Sequence, residues 1–308
     1  MSLSEMCVNE NKVWETDLMT AFHCPDENGI IKTVMRYRIP LHAESEAIYL
    51  SKYDMAAEDR LAFYKNVVSC IQQQVAVSQY LQDAGVSSVL SFLSMEQERD
   101  KKGVSTIYLA TEQVWPILDK LLVDRSDVLT LLDVIYRLGT VLKNINKEGI
   151  GVVHRGLDLR NVYINAENRI RLGGFFYAYC PIKSGVPSYL PGSPSPLDAV
   201  YSKGETGNET ADIRTLSMIA WNLFSGLPHN TQIDTSRVVF PQYATEELAQ
   251  LLWDGMSGSF ESCNSFRRRL LNYRNQIKDT DYAKQMIPIR GQQLKTFSVG
   301  FVNSQSEI

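Results

Sequence analysis

Short apolar stretches separated by polar turns dominate the first part of the chain. Val13-Trp14, Leu18 to Cys24 and Ile30 to Ile39 are rich in apolar and β-branched residues, and the turn-forming run Pro25 to Gly29 separates the last two. Runs of this kind, bounded by turn residues, are typical of β-strands joined in hairpins. The pattern predicts an opening β-hairpin, and Ser105 to Ala110 predicts a later strand.

Further along the chain, apolar residues recur at helical spacing. The clearest series is Leu129, Leu132, Ile135, Leu138, Leu142 and Ile145. Residues three and four apart share one face of a helix, so this series predicts a core helix from Val128 to Asn146. Similar patterns predict a long helix ending near Gln82, and two helices over Thr245 to Met256 and Ser265 to Ile277. The sequence therefore predicts an α+β protein with its helices mainly in the later part.

Two segments in the middle of the chain have the spacing of catalytic loops. The first is His154-Arg155-Gly156-Leu157-Asp158-Leu159-Arg160-Asn161, and the second is Arg171-Leu172-Gly173-Gly174-Phe175-Phe176. The strand-like run Val162 to Asn165 lies between the two segments, and the run Arg169 to Leu172 overlaps the start of the second. An ordinary β-hairpin would account for those two runs by themselves.

The two segments resemble the protein kinase loops H-R-D-L-x-x-x-N and K-L-G-D-F-G. In kinases the first Asp accepts the proton of the attacking hydroxyl, and the second Asp holds magnesium. Gly156 and Gly174 stand at those two positions in this sequence. Glycine has no side-chain oxygen that could take a proton or bind a hard cation. The resemblance implies a kinase-like fold that lacks the two aspartates needed for phosphoryl transfer.

A third segment extends the resemblance. Ala211 to Gly226 is similar to the kinase helix D-I-x-S-L-G-x-x-x-x-x-L-x-x-G. The kinase counterpart of Asp212 accepts hydrogen bonds from the backbone of the first loop, so the resemblance implies the same structural role here. The positions of the family pattern that are retained are His154, Arg155, Asn161 and Asp212.

The earlier part of the chain resembles serine/threonine kinases of clostridial and related Gram-positive bacteria. In that register the phosphate-anchoring Lys falls on Tyr37 and its Glu partner on Gln74, and Val86 to Val89 follows as the next strand. Side chains alternate along a strand, so a shift by one residue would place Arg36 or Arg38 at the anchoring position. Gln74 has an alternative interpretation as a surface polar residue on an amphipathic helix.

Two further kinase positions are relevant to nucleotide binding. Thr16 to Ala21 contains no glycine, so the opening hairpin lacks the close backbone approach to phosphate that the family's glycine-rich loop permits. Thr111 falls on the gatekeeper position, and Glu112, Gln113 and Val114 fall on the hinge between lobes. By resemblance, adenine would contact the backbone of these three residues if a nucleotide bound.

The resemblance covers about residues 10–285 and implies a bilobal fold. It predicts an N-lobe at 1–113 with a small antiparallel sheet and one long helix, a mainly helical C-lobe at 114–285, and a tail at 286–308. The Ser/Pro/Gly-rich run Pro181 to Asn208 has the position of the kinase activation segment.

Composition limits the classes of partner. The chain has 308 residues, 44% of them hydrophobic, and a net charge of -4, which argues against a dedicated nucleic-acid surface. Its five cysteines show no C-x-x-C spacing, and no apolar run has the roughly eighteen residues that span a bilayer. We therefore expect a cytoplasmic protein without a membrane span, and the resemblance to kinases of Gram-positive bacteria implies a bacterial source.

Three functions remain open on the sequence. The leading interpretation is a catalytically inactive pseudokinase that acts as a scaffold or regulator of a protein partner, such as an active kinase. The second is a divergent ATP-dependent serine/threonine kinase or phosphotransferase in which Asp158 serves as base or metal ligand. The third is a sensor of a nucleotide or another small molecule. We expect no cofactor or metal, and ATP without magnesium is the remaining option.

Overall fold

The computed structural model describes residues 2–7, 11–52, 54–101, 104–124, 126–182, 209–233, 239–289 and 295–296. Within these residues the protein is mixed α and β. The helices are α1 (Leu3–Met6), α2 (Ala43–Lys52), α3 (Arg60–Asp83), α4 (Ile117–Asp124), α5 (Val128–Asn146), α6 (Glu209–Phe224), α7 (Glu246–Met256) and α8 (Cys263–Ile277). The strands are β1 (Lys12–Glu15), β2 (Thr20–Pro25), β3 (Ile31–Ile39), β4 (Phe92–Arg99), β5 (Ser105–Glu112), β6 (Val114–Pro116), β7 (Val162–Asn165), β8 (Ile170–Leu172) and β9 (Lys295–Thr296). No helix in the described ranges combines the length and apolarity needed to cross a bilayer.

The larger sheet has the strand order β4-β5-β3-β2-β1-β9, and neighbouring strands run antiparallel. Tyr37 of β3 pairs with Ile107 of β5 and is buried. Because side chains alternate along a strand, Arg36 and Arg38 lie on the opposite face. The smaller sheet has the order β6-β7-β8, in which β7 and β8 form the predicted hairpin.

Contacts divide the chain into two compact units. The first comprises Met1–Asp54, Phe92–Val114 and Gln293–Ile308, and the second comprises Met55–Ser91 and Trp115–Gln292. The domain division at residues 113 and 114 stays a prediction. In the first unit, α1 covers part of one sheet face, because its apolar residues pack with side chains from β2, β3 and β5. This buried cluster contains Leu3, Met6, Cys7, Phe22, Cys24, Val34, Tyr108 and Ala110.

The core of the second unit is built around α5. Asp127 caps the start of this helix by accepting a hydrogen bond from the backbone N–H of Thr130 at 2.7 Å. Helices α6 and α8 pack against α5, whose apolar face is buried. A fully buried leucine contributes about 2 kcal/mol relative to an exposed one, so a face of this length is a major source of stability. This core holds the loop that follows α5.

Most of the predicted elements are confirmed. The helix Val128–Asn146 has the predicted bounds, and the opening hairpin and the helices near the end of the chain are present. The strand predicted over Val86 to Val89 is wrong, since Val89 makes only an isolated bridge to Leu172, and the next strand is β4. Residues 183–208 of the predicted activation segment lie outside the described residues.

Candidate functional site

The loop between α5 and β7 takes its shape from Asp212 of α6. The Asp212 carboxylate accepts hydrogen bonds from the backbone N–H groups of His154, at 2.9 Å, and Arg155, at 3.1 Å. All three residues are fully buried. Arg155 has a φ of 63°, in the left-handed region where a residue with a side chain is strained. The predicted contact between Asp212 and the loop backbone is therefore present, and it holds an unusual backbone geometry in place.

His154 joins this loop to the second one. Its Nε2 lies 2.8 Å from the carbonyl oxygen of Gly173, and the backbone N–H of Gly156 donates to its Nδ1 at 3.3 Å. A carbonyl only accepts and an N–H only donates, so the ring carries its proton on Nε2 and is neutral. Burial lowers the pKa of His154, which favours the same neutral form. His154 acts here as a structural link between the loops.

The space beside Gly156 is occupied by Tyr177. A Cβ atom placed at Gly156 would lie 3.2 Å from Cδ2 of the Tyr177 ring. The ring is buried, and the backbone carbonyl of Tyr177 accepts a hydrogen bond from Nη1 of Arg155 at 3.2 Å. An aspartate at position 156 would need the ring to move. Any side chain at position 156 would therefore begin in close contact with the Tyr177 ring.

The space beside Gly174 is filled more tightly still. Gly174 has a φ of +75°, and a Cβ atom there would lie 2.4 Å from both Cγ and Nδ2 of Asn161. Such a distance is far below van der Waals contact, and the left-handed backbone disfavours any other residue. The side chain of Asn161 therefore occupies the space that a side chain at position 174 would need.

Gln74 of α3 contacts the same glycine. Its Oε1 accepts a hydrogen bond from the backbone N–H of Gly174 at 3.2 Å, and the side chain is 3% exposed. The interpretation of Gln74 as a surface residue is therefore wrong. The adjacent Gln73 donates from Nε2 to the carbonyl of Ala178 at 2.8 Å, so two glutamines tie α3 to the second loop.

Two amide groups at this point lack a hydrogen-bond partner among the described residues. They are Nε2 of Gln74 and Nδ2 of Asn161, and both atoms are buried. A buried donor without a partner costs about 1 to 3 kcal/mol. The packing around Gly174 is thus kept at an energetic cost.

Both carboxylate oxygens of Asp158 accept hydrogen bonds from residues of the second unit. Its Oδ1 accepts hydrogen bonds from the backbone N–H and Nε of Arg160 and from Nε2 of His229, at 2.8, 3.0 and 3.0 Å. Its Oδ2 accepts from Nη2 of Arg160 at 2.9 Å. Burial would raise the pKa of Asp158, but the hydrogen bond and charge of His229 and the charge of Arg160 hold that pKa well below its usual range. A buried carboxylate with so low a pKa is a poor general base.

In the first unit, the turn between β1 and β2 is closed by a threonine side chain. The Thr16 hydroxyl accepts hydrogen bonds from the backbone N–H of Met19 at 3.1 Å and of Leu18 at 3.4 Å. The backbone N–H of Thr16 donates to the Met19 carbonyl at 2.8 Å. These N–H groups, which a phosphate-binding turn would point at its ligand, are used within the turn.

The predicted hinge positions end the first unit. Thr111 is buried in β5, Glu112 ends that strand, and Gln113 is half-buried. The backbone N–H of Val114 donates to Oγ1 of Thr33 at 2.9 Å, and the Val114 carbonyl accepts from Nε2 of His23 at 3.0 Å. Val114 therefore makes both of its backbone hydrogen bonds inside the protein.

Three of these residues were missed by sequence reasoning. Tyr177, His229 and Thr33 lie 21, 71 and 81 positions from their partners Gly156, Asp158 and Val114. His229 and Thr33 carry no local pattern that would connect them to those partners. For Tyr177 the aromatic run that follows Gly174 was a usable signal, because such a run must pack close to the glycine-containing loop.

The described residues contain no group of three or more His, Cys, Asp and Glu side chains arranged to hold a metal ion. The carboxylates near the two loops are Asp158 and Asp212, and each makes hydrogen bonds to protein donors. Compared with protein-family models and with curated protein sequences, this chain matches neither a family nor a curated protein.

Proposed function

We propose that the chain is a protein kinase-like pseudokinase that binds a protein partner and does not transfer phosphate. The proposal rests on the sequence resemblance and on one observation above all. The side chain of Asn161 fills the position of the absent Asp side chain at Gly174, where a Cβ atom would lie 2.4 Å away. A group that packs as core around a glycine is not arranged to bind a metal.

Three further features support the absence of phosphoryl transfer. Tyr177 covers Gly156, the turn N–H groups of Leu18 and Met19 bond to Thr16, and the backbone of Val114 is satisfied within the first unit. Each of these positions would have to open before a substrate hydroxyl, a phosphate or an adenine could use it. Losing even one such interaction usually costs orders of magnitude in rate.

The divergent phosphotransferase is disfavoured by the surroundings of Asp158. Its carboxylate oxygens together accept four hydrogen bonds from Arg160 and His229, and the side chain is 2% exposed. The nucleotide sensor is disfavoured by the internal bonds of Val114. No described contact favours either function over the scaffold.

A protein partner is supported by an exposed apolar pair in the second unit. Val239 and Phe240 are adjacent, and 79% and 54% of their surfaces are exposed. Large apolar side chains exposed together often mark a protein-binding surface. We expect Phe240→Ser with Val239→Ser to keep the melting temperature of the chain and to lose capture of its partner from the source cell. Equal capture by the double variant and the native chain would place the partner elsewhere.

The direct test of inactivity is a thermal-shift titration with ATP, with and without magnesium. A ligand that binds the native state raises its melting temperature. Because we propose that the chain does not bind ATP with magnesium, we expect no magnesium-dependent rise. Incubation with radioactive ATP and a mixed protein substrate should transfer no label above a reaction without protein. A clear magnesium-dependent rise, or label transfer above the reaction without protein, would contradict the proposal.

A further inference from the structure

A cavity of about 500 Å³ lies on the face of the first-unit sheet that carries Arg36 and Arg38. Its walls come from the β1–β2 turn, β3, β5 and the start of α2. Pockets of roughly 300 to 1,000 Å³ take small organic ligands. Tyr37, at the predicted nucleotide-anchoring position, faces the other side of the same strand. The cavity therefore lies on the face of β3 opposite to Tyr37.

Two arginines on one strand face define the chemistry of the cavity. Arg36 places its guanidinium carbon 4.5 Å from the centre of the Phe22 ring, and Phe22 belongs to the buried cluster under α1. Arg38 donates from Nη1 to the carbonyl of Pro40 at 2.8 Å. A guanidinium has five N–H donors, so this bond fixes Arg38 and leaves donors for a ligand. Side chains that are already ordered lose less entropy on binding.

The acidic residues of the cavity are balanced by lysines. Glu15 lies 3.0 Å from Nζ of Lys12, and Asp17 lies 2.7 Å from Nζ of Lys52. The basic side chains of the lining, Lys12, Arg36 and Arg38, outnumber the acidic Glu15 and Asp17, so the formal charge of the lining is positive. A surplus of positive charge attracts an anion and disfavours a metal cation.

Hydroxyl groups complete the lining, and those of Ser45 and Thr106 add donors beside the two arginines. Planar guanidinium groups bind phosphate in a two-point fashion, and hydroxyl groups suit its remaining oxygens. We propose that this cavity binds a small phosphate-bearing molecule without a metal ion. The proposal does not rest on the pseudokinase assignment, since it uses only the charges and hydrogen-bonding groups of the lining.

Sodium pyrophosphate, titrated calorimetrically into the full chain without divalent cations, tests the site. We expect saturable binding at one site, and about tenfold weaker binding by Arg38→Gln, since one charge-assisted hydrogen bond of about 1.4 kcal/mol corresponds to tenfold in affinity. Ser45→Ala, which removes only a hydroxyl, should weaken binding about threefold and keeps the test valid if Arg38→Gln fails to fold. Arg99→Gln, on the exposed part of β4, should bind like the native chain.

Several results would overturn the site. They are an absence of saturable binding, affinities unchanged in both cavity variants, and an equal loss in Arg99→Gln, which would mean general charge attraction. Sodium citrate separates phosphate from carboxylate ligands, because citrate binding as tight as that of pyrophosphate would reject the phosphate assignment.

Discussion

The side chain of Asn161 lies where a side chain at Gly174 would begin. A Cβ atom at position 174 would be 2.4 Å from Cγ of Asn161, and the φ of Gly174 is +75°. Both the steric contact and the left-handed backbone require glycine. The two residues fit each other as a pair, so a change at one position acts through the other.

An aspartate at position 174 should therefore destabilise the protein. We expect Gly174→Asp to lower the free energy of unfolding by about 2 to 5 kcal/mol, through backbone strain and the contact with Asn161. Gly174→Ala should cost less in the background of Asn161→Gly than in the native chain, because Asn161→Gly also removes the Asn161 Cβ, which would lie 2.6 Å away, and leaves the backbone strain. Urea unfolding of the four proteins measures this coupling, and additive losses would show that Asn161 is not the obstacle.

The Tyr177 ring should make a side chain at Gly156 costly in a different way. The backbone at Gly156 is not left-handed, so the cost comes from the Tyr177 ring 3.2 Å away. We expect Gly156→Ala to lower the free energy of unfolding by about 1 to 3 kcal/mol in the native chain, and by less beside Tyr177→Ala. Gly156→Asp should show no transfer of radioactive label from ATP. Activity restored by this single change would mean that only the base was missing.

Stability should fall as the pH drops below the ordinary histidine value. Burial lowers the pKa of His154 in the folded protein, so the unfolded chain binds a proton first as the pH falls below about 6.5. The free energy of unfolding should decrease by at most about 1.4 kcal/mol per pH unit for this group. Urea unfolding at about pH 7.5 and about pH 5.5 measures the change.

Comparison with His154→Gln isolates this contribution. His23, whose pKa burial also lowers, acts in the same direction, whereas Asp119, whose pKa burial raises to about 6, acts in the opposite direction. Asp158 has a lowered pKa and loses its contribution only below about pH 3.9, outside this range. The variant should show a smaller fall than the native chain. Identical falls would mean that His154 is not held neutral.

Asp158 should be needed for folding. The Asp158 side chain is 2% exposed and pairs with the fully buried His229 and with Arg160. Breaking such a buried group by Asp158→Asn should cost about 3 to 5 kcal/mol of unfolding free energy. Arg169→Gln is a matched control, because the Arg169–Glu167 ion pair is largely exposed and should contribute less than about 1 kcal/mol. A stable Asp158→Asn protein would remove the structural explanation for this residue.

The elements that the sequence predicted correctly are those with a regular local pattern. Helix α5 repeats its apolar residues at helical spacing over its whole length, so its bounds were predicted directly. Strand β4 was missed because it is an edge strand in which Glu96, Glu98 and Arg99 leave no alternation of buried and exposed residues. A strand that buries neither face gives little signal.

Only the part of the candidate site that lies within one continuous segment could be predicted from the sequence. The loop from His154 to Asn161 identified Asp212 as its support by the resemblance alone. The side chains that contact Gly156 and Asp158 come from distant positions in the sequence, so no local pattern identifies them. The contact of Tyr177 with Gly156 and the hydrogen bond of His229 to Asp158 depend on how the core of the second unit packs. Spacing along the chain singled out Gly156 and Gly174, and packing shows which side chains lie against them.

The bond between Thr33 and Val114 gives a test in the first unit. Thr33→Val keeps the shape of the side chain and removes its hydroxyl, so the buried N–H of Val114 loses the partner that it now has at 2.9 Å. We expect a loss of about 1 to 3 kcal/mol in unfolding free energy, as for other buried donors left unsatisfied. Thr33→Ser keeps the hydroxyl and should lose less. If the N–H of Val114 is a latent adenine donor, Thr33→Val should gain ATP binding, measured by calorimetry, while Thr33→Ser should not. We expect no gain in either, because the Val114 carbonyl still bonds to His23 and the turn N–H groups still bond to Thr16.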